Sequence, residues 1–147
     1  MKKFWIITCL MMFSCVSLFA QKSEVYVSDS KAINGYDPVA YFTMGKPVMG
    51  NEKYTYQWNK ANWQFSSMEN LNAFMKSPEK YAPQYGGYCA YGMSEGHKAS
   101  TDPNAWTIVN GKLYLNYSLD VKSMWNKDQP GRIAKADKIW PDKKDKE

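Results

Sequence analysis

Thiols and imidazole are scarce in this chain, with three cysteines and one histidine in 147 residues. No Cys-x-x-Cys pair and no His-Glu-x-x-His occurs, which removes the usual dithiol-redox and zinc-protease signatures. There is no heptad, internal repeat or low-complexity linker, so coiled coils and solenoids are excluded. Positive charge is modest, at a formal +5. Its densest run, Lys143-Lys144-Asp145-Lys146, includes an acid and reads as a solvated tail. Nothing marks a nucleic-acid binder with a basic stripe.

Long apolar runs are missing too. Phe4 to Phe13 is apolar for about the length of a signal h-region, too short to span a bilayer. Lys2 and Lys3 precede it, and Leu18-Phe19-Ala20 offers a cleavage site before Gln21. The segment 1–20 therefore reads as a signal peptide, with export to a periplasm or the exterior. A competing reading lipidates Cys15 and anchors the protein to a membrane. Cleavage removes Cys9 and Cys15, so Cys89 remains the sole thiol and no internal disulfide forms. Losing Lys2 and Lys3 leaves a formal charge of +3. Residues 21–31 read as a flexible arm, 32–140 as one domain and 141–147 as a charged tail.

What the chain does have is aromatics, at 16%, enough for a packed core. They peak in Ser77-Pro-Glu-Lys-Tyr-Ala-Pro-Gln-Tyr-Gly-Gly-Tyr-Cys-Ala-Tyr-Gly92. Large rings beside glycine indicate backbone held close to something. Around this run the pattern is mixed. Tyr54 to Trp58 and Asn62 to Phe65 form a hairpin across Asn59-Lys60-Ala61. Ser66 and Glu69 have capping-box spacing, and a helix follows with Met68, Leu71, Phe74 and Met75 on one face. Ser77-Pro78 ends it and restarts a short turn. Trp106 to Val109 and Lys112 to Leu115 flank Asn110-Gly111, the pair a type I′ turn requires. Ser118 caps a helix with Val121, Met124 and Trp125 inward. Pro130-Gly131 breaks the chain before a last helix carrying Ile133, Ala136 and Trp140. The fold class is α+β: a small single domain with two antiparallel hairpins and several short helices.

Three segments carry a family resemblance. They are Asp37-Pro-Val-Ala-Tyr-Phe42, the hairpin ending in Trp63-Gln-Phe-Ser-Ser67, and the helix running into Phe74-Met-Lys-Ser-Pro-Glu-Lys-Tyr81. In this order they resemble the YHS domain. Tyr85 to Gly92 and Asp102 to Asn116 are similar to its exported branch. The resemblance runs from Ala32 to Trp140 and implies a YHS-like fold. Metal-binding members of the family carry a cysteine just after Asp-Pro-Val and others after the hairpin. Here those positions are Ala40, Ser66, Ser67 and Met68, so metal binding does not carry over.

The residues themselves offer one metal constellation. Cys89, Met93 and His97 recur every four positions and would form one stripe on a continuous helix. Four-ligand structural zinc is excluded for want of Cys and His, whereas copper(I) accepts thiolate and thioether. Against this, Cys and Met are frequent core residues, and Gly96 is a natural helix stop that turns His97 away. Asp37 before Pro38 reads as a helix cap, with a ligand or base as the other option. Tyr36, Tyr41, Tyr81, Tyr85, Tyr88 and Tyr91 line a small-ligand pocket or fill a core. Gly92-Met-Ser94-Glu95-Gly96 imitates a nucleophile elbow without the α/β-hydrolase frame that form needs. The expectation is an exported binding module with a soft metal, copper, at Cys89. The alternatives are a thiol redox protein using Cys89, and a structural envelope module with an aromatic pocket.

Overall fold

A computed structural model of the chain describes residues 23–146. The expected signal peptide and the Cys15 anchor lie outside the described residues. The architecture is α+β, as expected, built on three two-stranded antiparallel hairpins. The first pairs β1 (Val27–Ser28) with β2 (Lys31–Ala32). A 3-10 turn, Ile33–Gly35, leads to α1 (Pro38–Thr43). The second hairpin pairs β3 (Asn51–Trp58) with β4 (Ala61–Phe65). Next come α2 (Met68–Lys76), α3 (Pro78–Tyr81), a second 3-10 turn (Gln84–Gly87) and α4 (Ala90–Ser94). The third pairs β5 (Asp102–Val109) with β6 (Lys112–Asn116), followed by α5 (Leu119–Asn126) and α6 (Gln129–Lys143).

The hairpins share one turn chemistry. Asp29-Ser30, Asn59-Lys60 and Asn110-Gly111 each place two successive residues at positive φ. That backbone matches the right-handed twist of the flanking strands. The middle turn is one residue tighter than expected, because Ala61 already pairs with Trp58 in the ladder. At the third turn Gly111 has φ +74 and no atom near its missing Cβ. Gly111→Val is therefore expected to cost about 1–3 kcal/mol through backbone strain alone. An unchanged urea midpoint would argue for a different turn.

Two hydrophobic clusters make the core, and β6 divides them. Leu113 and Leu115 pack with Val25, Val39, Trp63, Phe65 and Phe74. Tyr114, between them in sequence, packs with Tyr85, Ala90, Met93, Trp125 and Ala136. The two-residue period of a strand puts alternate side chains on opposite faces. Leu113 to Asn116 are consequently all buried, the pattern of a strand covered on both sides.

Several helix expectations change in detail. Ser67, not Ser66, caps α2 by accepting from the Asn70 N–H. The capping box with Ser66 does not form, because Ser66 is bound to Asp37 instead. On α2 only Phe74 is fully buried; Met68 and Met75 are about half exposed, at 52% and 48%. On α5, capped by Ser118 as expected, Trp125 is buried and Met124 is exposed. Pro130 opens α6 rather than breaking the chain. Asp128 caps that helix through the Gly131 N–H, and a first-turn proline has no helical N–H to lose. The helix runs past Pro141 to Lys143, so part of the expected tail is helical.

Residues 23–31, expected as a loose arm, pack onto the domain. Val25 is 2% exposed, and the Tyr26 N–H donates to the Gly86 carbonyl at 2.9 Å. No helix among the described residues is long and apolar enough to cross a membrane.

Candidate functional site

The expected copper stripe depended on a helix through residue 97, and α4 ends at Ser94. Gly96 takes φ +89, and the chain folds back so that the His97 N–H donates to the Gly92 carbonyl. His97 is exposed beyond this turn. Cys89 and Met93 do stand one helical turn apart, and the Met93 N–H donates to the Cys89 carbonyl. Met93 is fully buried among Tyr85, Tyr114 and Trp125, where a flexible thioether suits aromatic neighbours. Among the described residues no group of three His, Cys, Asp or Glu stands together as metal ligands.

Cys89 is the N-cap of α4 and 2% exposed. Its sulfur accepts from the Gly92 N–H at 3.4 Å and the Tyr117 N–H at 3.3 Å. Its thiol donates to Asn116 Oδ1 at 3.5 Å. That same oxygen accepts from the Tyr91 N–H at 3.0 Å. The thiol thus joins α4 to the end of β6. Burial pushes its pKa up, against the smaller opposing effect of the backbone N–H groups. A thiolate is the reactive form, so alkylation of the folded chain should wait for local opening. We expect it to run at least about 100-fold slower than in the urea-unfolded chain at pH 8. Labelling at the unfolded rate would refute this. The raised folded pKa also means that any stability the thiol contributes is full at lower pH and is lost as pH rises through the thiol range.

Asp37 is fully buried and caps α1, as expected. Oδ1 accepts from the Val39 and Ala40 N–H groups at 2.8 and 3.3 Å. The other half of its role depends on residues about 30 positions away. Oδ2 accepts from the Ser66 N–H, the Ser66 hydroxyl and the Asn70 amide, at 2.8, 2.7 and 2.8 Å. One carboxylate thereby fixes α1, the end of β4 and the first turn of α2.

The glycine-tyrosine run produces a concave site through its backbone. Tyr85, Gly86 and Gly87 follow one another at φ 57, 63 and 86. A Cβ on Gly86 would lie 1.8 Å from the Glu24 carbonyl oxygen, so only glycine lets the N-terminal segment pass this close. A Cβ on Gly87 would lie 2.5 Å from Ile33 Cγ2. The turn also aims Tyr85 at α6. Its hydroxyl donates to Asp137 Oδ1 at 2.9 Å, and its ring meets Trp140 edge-on at 6.1 Å. Burial and the Asp137 carboxylate raise the Tyr85 pKa far above the phenol range, so it stays a donor.

Beside this turn lies a cleft of about 190 Å³. Its aromatic lining is Trp58, Trp63, Tyr85 and Trp140, and its charged lining is Glu24 and Glu79. Trp58 and Trp63 are held together at 5.9 Å, with the Trp63 indole N–H donating to the Trp58 carbonyl. Of the six tyrosines singled out, only Tyr85 lines this cleft. Tyr41 is core and bonds the Pro103 carbonyl, Tyr88 lines a separate hollow with Lys98, and Tyr81 lines another over α2 and α3.

Two cations that sequence reasoning missed hold α6 in place. Lys98, 4% exposed, donates to the carbonyls of Ser23 and Lys144 and lies over the rings of Tyr88 and Trp140. Arg132 lies 4.0 Å over the Tyr91 ring and reaches the Ser94 hydroxyl and Glu95. Ser94 is a helix residue bonded to the Tyr91 carbonyl, without the strand-to-helix turn of a nucleophile elbow. No local pattern announces either cation, because their hydrogen-bond partners are 37 to 75 positions away in sequence.

No family model matches this chain, and no curated protein or solved structure matches it.

Proposed function

We propose that this chain is an exported, YHS-like binding module whose ligand seat is the aromatic cleft beside Tyr85. The observation carrying this is the Tyr85-Gly86-Gly87 turn. It holds a tyrosine at positive φ ahead of two glycines, a conformation that costs backbone energy at Tyr85 while glycine adopts it freely. The result is a concave surface joining rings from β3, β4 and α6. Small-ligand sites are concave and combine aromatic side chains with a few polar groups. At about 190 Å³ this one is below the roughly 300 Å³ at which drug-sized pockets begin, so it suits a small molecule or one headgroup. A ligand-observed NMR screen of small polar and aromatic compounds tests the reading. Hits should perturb the indole N–H signals of Trp58 and Trp140 and weaken in Trp140→Ala. A screen whose hits all map elsewhere, or that yields none, would sink it.

The soft-metal reading keeps one specific support, the single-turn spacing of Cys89 and Met93 at α4. It requires copper(I) to displace the three hydrogen bonds now held by the sulfur. Competition with a colorimetric copper(I) chelator decides it: equal retention by wild type and Cys89→Ser removes that site.

A further inference from the structure

We infer that the occupant of the cleft is a small organic cation, an alkylated or quaternary ammonium group. This rests on the cleft being the ligand seat and names what it selects. The face of an indole or phenol ring is electron-rich and attracts a cation, most strongly when the cation is weakly hydrated. Three indoles and a phenol line the cleft, with Trp58 and Trp140 partly accessible and Trp63 and Tyr85 almost fully buried behind them. The charged lining residues are both carboxylates, Glu24 and Glu79, and no Lys, Arg or His lines it. This sign is opposite to that of the chain, whose formal charge is +5. Neither carboxylate makes an ion pair among the described residues. An anion would meet two like charges, and a neutral occupant would gain nothing from either carboxylate.

The fold already uses this chemistry internally. The Lys98 ammonium lies 5.8 Å from the Trp140 ring centroid and 5.2 Å from that of Tyr88. Lys98 is not among the residues lining the cleft. Glu79 is exposed and Glu24 half-buried, so their attraction is partly screened and affinity should fall as salt rises. The rings then supply what salt does not remove.

The test compares choline with its neutral isostere 3,3-dimethylbutan-1-ol on the purified chain. Binding is followed by the indole N–H signals of Trp58 and Trp140. Choline should bind at least about tenfold more tightly than the alcohol. The double variant Glu24→Gln, Glu79→Gln should lose about tenfold for choline and leave the alcohol unchanged. A melting curve confirms that this variant is folded, and single variants replace it if it is not. Equal binding of the two probes, or undiminished choline binding by folded Gln variants, overturns the cation while leaving the cleft as a seat. No response to choline where other screened compounds bind the cleft has the same meaning. No response to choline together with an empty screen removes both.

Discussion

Asp37→Asn is expected to destabilise the domain by roughly 3 kcal/mol or more. The substitution is nearly isosteric, so its cost is not a cavity. It puts an amide NH2 where a carboxylate oxygen now accepts, against donors two of which are buried and the rest partly buried. Five donors from three elements converge on the two oxygens of a fully buried side chain. Each buried donor left without its acceptor costs about 1–3 kcal/mol, and those bonded to a charged group lie at the upper end. Ser66→Ala removes only one side-chain donor and should cost about 1 kcal/mol. Urea denaturation of both variants checks the contrast. A wild-type midpoint for Asp37→Asn would show that the network contributes little. The comparison also bears on role: a ligand or base would be spared such saturation, whereas a residue that fixes α1, β4 and α2 requires it.

The second large effect is Gly86→Ala. A left-handed φ is tolerable for alanine at about 1 kcal/mol, so conformation alone predicts a mild defect. The space does not permit it, since the new Cβ would lie 1.8 Å from the Glu24 carbonyl oxygen. Backbone must move, and the backbone in question is the N-terminal segment. Its displacement breaks the Tyr26 to Gly86 hydrogen bond and uncovers Val25, now 2% exposed. Full burial of a valine is worth about 1.5–3 kcal/mol, and with the lost bond we expect a total near 3 kcal/mol. Amide exchange should accelerate at Tyr26 first and leave Leu113 to Leu115 protected. Protection at Tyr26 equal to wild type would mean that the segment does not depend on this close approach. Because Glu24 and Val25 form part of the cleft wall, the same variant should also weaken any ligand seated there.

The local chemistry of the chain was legible where neighbours in sequence are neighbours in space. Asn110-Gly111 specified its turn because both residues accept positive φ. Asp37 and Ser118 were readable as caps because a cap bonds residues two or three positions ahead. Even locally, competition misled the reading. Ser66 has the right spacing for a capping box, but a buried carboxylate is a stronger partner for its hydroxyl than a helix terminus is. Met68, Met75 and Met124 fit a helical period and stay exposed, because short helices need only one or two anchors, Phe74 and Trp125.

By itself, the sequence determined the α+β class, the two larger hairpins with their turns, and the one position where thiol chemistry among residues 23–146 is available. It also marked residues 85–87 as unusual, since glycine beside large rings has few other uses. What that run accomplishes was decided by tertiary structure. The cleft draws Glu24, Trp58, Trp63, Glu79, Tyr85 and Trp140 from across the chain, and no periodicity links residues so far apart. The fate of the Cys89, Met93, His97 spacing was decided the same way. A four-residue repeat implies a common face only while a helix lasts, and here the helix ends at Ser94 and Gly96 turns the chain. Burial of Cys89 at the end of β6 then made its sulfur a hydrogen-bonding cap, a property set by the residues around it.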